Sequence, residues 1–167
     1  MNSVRIAVLA ISDTRTLNDD ISGALLAERI ESAGHMLAER KIARDDIGDI
    51  QAVLKAWIDK PDIDVIITTG GTGLTGRDVT PEAVKPLFDK EIEGFATVFH
   101  MVSYESVGVS TLQSRATAGI AGGTFIFVLP GSKGAVCDGW DKVIIHELDV
   151  SYKPCNLITI MPRLQER

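Results

Sequence analysis

The sequence predicts an α/β fold, a three-layer sandwich of helices around a mostly parallel sheet. Three observations predict it. First, Val4–Ile11 (VRIAVLAI), Ile63–Thr69 (IDVIITT) and Thr124–Leu129 (TFIFVL) are largely continuous apolar runs of β-branched, aromatic and aliphatic residues. Runs of that kind suit strands covered on both faces. Second, the segments between them carry apolar residues at spacings of three and four, the period of a helix packed on one side. Third, strands and helices alternate along the chain, which implies parallel strands joined by right-handed crossovers.

The elements follow in order. The first strand runs into Ser12-Asp13-Thr14, and the helix after it ends at Gly34. His35–Ile42 reads as a weaker strand. Ile47, Ile50, Leu54, Trp57 and Ile58 mark the next helix, with Asp45 or Asp46 as N-cap and Pro61 as stop. Ile63–Thr69 leads into Gly70-Gly71-Thr72-Gly73. Thr80-Pro81-Glu82 reads as N-cap, proline at the first helical position and an acid in the first turn. Phe95, Val98, Phe99 and Val102 form another helical stripe. Val107–Arg115 is β-rich and predicts a small antiparallel excursion near 107–115. Thr124–Leu129 ends in Pro130-Gly131-Ser132, where Ser132 caps a last helix marked by Val136, Trp140, Val143 and Ile144.

Length and composition bound the function. The chain has 167 residues, 45% hydrophobic and 24% charged, and no long linker, so residues 1–167 are expected to form a single domain. Lys and Arg number 17 against 23 Asp and Glu, a net charge of −6. A non-specific nucleic-acid binder needs a cationic footprint, and a polybasic membrane anchor needs clustered lysines and arginines, so neither class fits. Cys137 and Cys155 lie in no CxxC pair and have no His at metal spacing, which disfavours zinc and suits reduced thiols. The opening Met1-Asn2-Ser3-Val4-Arg5 lacks the marks of a signal peptide, and Ile6–Ile11 is too short to span a bilayer. A cytoplasmic protein without nucleic-acid or membrane partners is expected.

The ends of the three strong strands carry the functional signal. In a parallel sheet, ligands bind beyond the carboxyl ends of the strands. Here those ends offer Ser12 and Thr14, then Gly70, Gly71, Thr72 and Gly73, then Gly131 and Ser132. Glycine admits close approach of the backbone, successive N–H groups form anion nests, and a helix start adds a positive dipole end. Any one of these turns alone is ordinary. Together they point to a phosphate-bearing ligand.

Two motif matches in the glycine run do not hold. Gly71–Gly76 fits G-x-G-x-x-G, but it follows an internal strand, and the next helix begins only at Thr80, too late for a dinucleotide fingerprint. It also fits the spacing of a P-loop, yet Arg77-Asp78 stands where lysine and a hydroxyl residue are required. Asp78 beside a phosphate cradle is repelled unless Mg²⁺ lies between, since Mg²⁺ takes one or two carboxylates plus phosphate oxygens. Its alternative role is to cap the helix at Thr80, and Asp45 poses the same choice. Arg115 can fork onto a phosphate or remain a surface residue. His35, His100 and His146 are scattered and none is assigned to catalysis.

The motifs Ser12-Asp13-Thr14, Asp20-Ile21-Ser22-Gly23, Thr69-Gly70-Gly71-Thr72-Gly73, Arg77-Asp78-Val79-Thr80-Pro81-Glu82-Ala83, Ser114-Arg115 and Pro130-Gly131 stand in one order over residues 4–162. In this the chain resembles the MoaB/MogA family of molybdenum cofactor biosynthesis proteins. Glu93-Gly94-Phe95 and Ser110–Ala116 look like its MoaB branch. The resemblance implies a homo-trimer or homo-hexamer that binds molybdopterin. It implies a nucleotidyltransferase activity, in which AMP passes from Mg-ATP to the terminal phosphate of molybdopterin. The alternative is a non-catalytic molybdopterin-binding carrier of the same pathway. Carried over by motif, Asp78 and Asp45 are the catalytic carboxylates, with Asp46 a rival to Asp45, and Asp78 holds Mg²⁺. Ser12, Asp13, Thr14, Ser22, Gly23, Gly70–Gly73, Thr80, Glu82, Ser114, Arg115, Pro130, Gly131 and Ser132 form the binding surface. The family pattern at the second aspartate is Pro-Asp-Glu, where this chain has Arg44-Asp45-Asp46.

Overall fold

A computed structural model describes residues 3–166. Six strands form one sheet: β1 (Arg5–Ile11), β2 (Met36–Ala43), β3 (Val65–Thr69), β4 (Lys90–Glu91), β5 (Thr117–Ala121) and β6 (Thr124–Leu129). Their spatial order is β2-β1-β3-β6-β5-β4. β2, β1, β3 and β6 are parallel, and β5 is antiparallel to both its neighbours.

Alternation along the strands explains the unbroken apolar runs. On β1, Ile6 and Val8 face one core, whereas Ala7, Leu9 and Ile11 face the other. Val65 and Ile67 oppose Ile66 on β3, and Phe125, Phe127 and Leu129 oppose Ile126 and Val128 on β6. A strand buried on both sides needs an apolar residue at every position. The first core is closed by α1 (Ile21–Ser32) through Leu26 and Ile30, by α4 (Glu93–Val107) through Phe95 and Phe99, and by α5 (Lys133–Gly139) through Val136. The second is closed by α2 (Ile47–Ile58) through Ile50, Leu54 and Trp57, and by α3 (Thr80–Val84) through Ala83 and Val84. Full burial of each such large apolar side chain contributes about 1.5–3 kcal/mol.

α1 and α2 lie on opposite faces, so the chain leaves β1 toward β2 and returns past it to β3. The strand order therefore reverses between β1 and β3, which opens a crevice at their carboxyl ends.

Two expectations need correction. The 107–115 segment is not β-rich: it is the last residue of α4 followed by a 3₁₀ helix over Gly108–Gln113. Gly108, at φ +60°, ends α4, and the antiparallel strand begins only at Thr117. The second concerns Thr80, which is the first residue of α3 and not its cap, with Pro81 next and Val79 preceding it without a side-chain capping bond. Ser132 caps α5 as expected, its hydroxyl accepting from the Ala135 N–H. Cys137 and Cys155 are free thiols. Among the described residues no helix is long and apolar enough to cross a membrane.

Candidate functional site

Three turns meet beyond β1, β3 and β6. The turn after β3 is cut by two left-handed glycines, Gly70 at φ +107° and Gly71 at φ +66°. A Cβ on Gly70 would stand 2.5 Å from the Ile11 carbonyl oxygen, and one on Gly71 2.2 Å from Thr80 Oγ1. Both conformation and space therefore require glycine. The Gly70 N–H donates to the Leu129 carbonyl at 3.0 Å, the Thr80 N–H to Gly71 O at 3.0 Å, and Thr80 Oγ1 to Gly70 O at 2.9 Å. Thr80 is thus buried and spent on shaping the loop.

The turn after β6 is fastened to its neighbours. Thr69 Oγ1 donates to Pro130 O at 3.0 Å, and Ser22 Oγ to Gly131 O at 2.7 Å. Ser22 lies in the first turn of α1, whose cap is the buried Asp20, accepting from the Gly23 N–H at 2.9 Å and paired with Arg40 at 3.0 Å. Gly23 serves that cap: a Cβ at this position would collide with the Asp20 carboxylate. In the turn after β1, Ser12 Oγ accepts from the Thr14 and Arg15 N–H groups at 3.3 and 3.2 Å, while Asp13 pairs with Arg77 across the crevice.

Two cavities border these turns. One of about 480 Å³ is walled by Gly70–Gly73, Asp78, Ser114 and Pro130–Ser132. A smaller one, about 100 Å³, lies between Ser12, Arg15, Asp20, Ser22 and Thr69. Gly131 borders both.

Asp78 does not cap α3. Its carboxylate turns back onto the glycine loop, accepting from Thr75 N at 3.0 Å and Thr75 Oγ1 at 2.6 Å. Those hydrogen bonds, a further one from the Gly73 backbone and the nearby Arg115 charge keep it below the usual carboxylate range. Asp78 is therefore ionised at the edge of the larger cavity. Asp46, not Asp45, caps α2, accepting from the Asp49 N–H at 2.9 Å. That removes the capping role from Asp45. Its backbone N–H donates to Asp13 Oδ1 at 3.2 Å, and a Cβ on Gly71 would come within 3.1 Å of its Oδ1. Burial, with the charges of Asp13 and Asp78, pushes its carboxyl above the usual range. Asp45 borders neither cavity directly and stands behind the glycine loop.

Arg115 is not free for a ligand. Its Nε donates to Gly73 O at 2.9 Å, Nη2 to Asp78 O at 2.8 Å, and Nη1 pairs with Glu82. Its own N–H donates to Thr72 O at 3.0 Å. Arg115 and Glu82 brace the loop from outside. Sequence reasoning had not assigned Arg77, Thr69, Thr111 or Ser103 to the site. Arg77, Thr69 and Thr111 lie inside motifs that carry the family resemblance; Ser103, which also lines the larger cavity, offers no signal beyond residue type.

Among the described residues no group of three or more His, Cys, Asp or Glu side chains could hold a metal ion. A cation held by one or two carboxylates and shared with phosphate oxygens needs no such cage. The ionised Asp78 beside a backbone loop supplies the hard oxygen donors of that arrangement.

Residues 7–150 match the family model described as "Probable molybdopterin binding domain". Molybdenum cofactor biosynthesis protein B of Escherichia coli strain K12 is 47% identical over 152 residues, 91% of this chain and 89% of that protein. The chain belongs to this molybdenum cofactor biosynthesis family. A crystal structure of molybdenum cofactor biosynthesis protein B is 43% identical and superposes with a TM-score of 0.89, covering 99% of this chain and 98% of that one. The tungsten cofactor synthesizing protein MoaB from Pyrococcus furiosus is 40% identical, with a TM-score of 0.76 over 86% of this chain and 91% of its own. The MoaB/MogA resemblance and the mostly parallel α/β sandwich are both borne out.

Proposed function

We propose that the chain, acting as a single cytoplasmic domain in a homo-trimer or homo-hexamer, binds molybdopterin at the ends of β1, β3 and β6. There it transfers AMP from Mg-ATP to the terminal phosphate of molybdopterin. The observation that carries the reading is the ionised Asp78 folded onto a left-handed glycine loop that faces a 480 Å³ cavity. In the transfer, a phosphate oxygen of molybdopterin bonds to the α-phosphorus of ATP. The bond from that phosphorus to the bridging oxygen breaks, and pyrophosphate leaves.

The residues divide the work. The Gly70 and Gly73 N–H groups are engaged by Leu129 and Asp78, so Gly71 and Thr72 carry the donors left in the loop. Backbone N–H groups fixed before the reaction stabilise charge developing on phosphoryl oxygens without reorganisation. Ser12 and Ser132, at the neighbouring turns, bound the surface on either side. Asp78 would hold Mg²⁺, with Asp45 behind the loop the second carboxylate. The ion, when bound, neutralises charge on the triphosphate.

The oligomer is supported by α4 and the 3₁₀ turn after it. Val98, Met101, Tyr104 and Val107, spaced by three, are exposed, and Val109 and Leu112 are more than three-quarters exposed. An apolar stripe of that length suits burial against another copy.

A non-catalytic carrier is the second reading. It is favoured by the engagement of Arg77 with Asp13 and of Arg115 with Glu82, which leaves the crevice few free cations for a triphosphate. Incubation of the pure protein with molybdopterin and Mg-ATP separates the two. Adenylylated molybdopterin and pyrophosphate appear under the first reading, and bound but unmodified molybdopterin under the second.

A further inference from the structure

Two hydroxyls on the wall of the larger cavity, Thr111 Oγ1 and Ser114 Oγ, are buried and have no hydrogen-bond partner among the described residues. Buried polar groups are nearly always paired, so an orphan pair beside a cavity marks donors kept for something the protein itself does not supply. Thr111 stands in the 3₁₀ helix Gly108–Gln113 and Ser114 directly follows it, and contacts on two sides hold this wall in place. On one side it is tied to the glycine loop, through the Arg115 N–H on Thr72 O. On the other side stands His100 of α4, whose Nε2 lies 3.0 Å from the Ser114 carbonyl oxygen. Its Nδ1 lies 2.7 Å from the Ala96 carbonyl oxygen, one turn earlier in α4. Carbonyl oxygens only accept. The ring form that satisfies both contacts is the imidazolium; a neutral ring satisfies one, and with its proton on Nε2 it still holds Ser114.

We propose that His100 is a positioning residue: it pins the Ser114 carbonyl to α4 and so keeps the Thr111 and Ser114 hydroxyls in place as donors to the ligand bound in the cavity. His100 makes no contact with the ligand itself. The inference rests on the molybdopterin reading for the identity of that ligand, but the pinning of the wall does not depend on it.

The test uses the full chain and two substitutions. His100→Phe keeps a ring in contact with Phe99 and removes both nitrogens, and His100→Gln restores one donor. Backbone amide exchange of residues 110–116 is measured without ligand, and molybdopterin affinity by titration. In His100→Phe, exchange rises several-fold in 110–116 and not in β1, β3 or β6, and affinity falls about tenfold, the loss expected for one hydrogen bond to a ligand-contacting wall. His100→Gln returns both to within about threefold of the wild type. Unchanged exchange or affinity in His100→Phe overturns the proposal, as does a glutamine variant no better than the phenylalanine one. If His100→Phe does not fold, His100→Leu takes its place under the same criteria. If the wild type does not bind molybdopterin, the proposed function falls, and the exchange pattern alone decides whether His100 pins the wall.

Discussion

Arg115 binds the Gly73 carbonyl oxygen at 2.9 Å, and the same guanidinium reaches Asp78 O at 2.8 Å. One side chain from the stretch before β5 therefore fixes both ends of the Gly73–Asp78 segment. Arginine is suited to this because its planar fork holds several acceptors at once, which a lysine ammonium does not. Arg115→Lys is expected to cost about 1–3 kcal/mol of stability, by the usual worth of part-buried hydrogen bonds to a charged group. Urea denaturation measures it. A lysine variant as stable as the wild type shows that the brace contributes nothing.

The glycine loop makes a sharper comparison. Gly70→Ala places a Cβ against the Ile11 backbone in a left-handed conformation, and the conformation alone costs about 1–2 kcal/mol. Gly76→Ala meets nothing within 4 Å. The first substitution is expected to lower stability by more than about 2 kcal/mol, clash included, and to abolish molybdopterin binding. The second is expected to change stability by less than about 0.5 kcal/mol. Equal effects from the two would show that the loop is not held as described.

Asp45 gives a prediction with a sign. Its folded carboxyl is raised by burial and by Asp13 and Asp78. The charged form is thus a burden on the folded state above that raised value, and the burden disappears below the unfolded value of about 3.9. Asp45→Asn is expected to raise the melting temperature at pH 7, with the gain shrinking to nothing as pH falls below about 3.9. AMP transfer should fall in the same variant. A destabilised Asp45→Asn at pH 7 contradicts the assignment of Asp45 as a carboxylate kept for function.

Glu39 behaves in the opposite way. Hydrogen bonds from Lys60, then from Trp57 Nε1, hold its carboxyl down to about 2. A lowered value contributes stability above the unfolded value of about 4.3 and loses it as pH falls toward 2. The stability difference between the wild type and Glu39→Gln is therefore expected at pH 7 and to vanish near pH 2. A difference independent of pH would mean that the contact acts through packing alone.

Much of this was legible in the chain because the physics was local. Strands buried on both faces must be apolar at every position, so 63–69 and 124–129 stood out and emerged as β3 and β6. Ser132 capped its helix as a short polar residue before apolar periodicity does, whereas Asp45 and Asp46 were equally placed by spacing and only the structure selects Asp46. The 107–115 segment misled because Val107, Val109 and Thr111 carry β propensity, yet among the described residues the segment continues α4 into a 3₁₀ helix and joins no strand of the sheet. In the true antiparallel strand, Thr117-Ala118-Gly119-Ile120-Ala121, three of the five residues are Ala or Gly with little β propensity, and Phe88 packs directly over Gly119. Arg115 read as a ligand-binding candidate and not as a brace, since its partners include carbonyls of a loop some forty residues earlier. Only tertiary structure supplies those.

The exposed stripe on α4 predicts a further outcome. Met101→Asp together with Val107→Asp is expected to convert the proposed oligomer to a monomer in sedimentation velocity, with the circular dichroism of the fold retained. A wild-type monomer would contradict the proposed oligomer, and an unchanged oligomer in the double variant would place the interface elsewhere.

The most direct test of the central claim is Asp78→Asn, compared with the wild type in molybdopterin binding and in the formation of adenylylated molybdopterin from Mg-ATP. The account predicts product from the wild type, none above background from Asp78→Asn, and molybdopterin affinity within a few-fold of the wild type in both. Product formed at equal rates by the two proteins, or by neither, would contradict it.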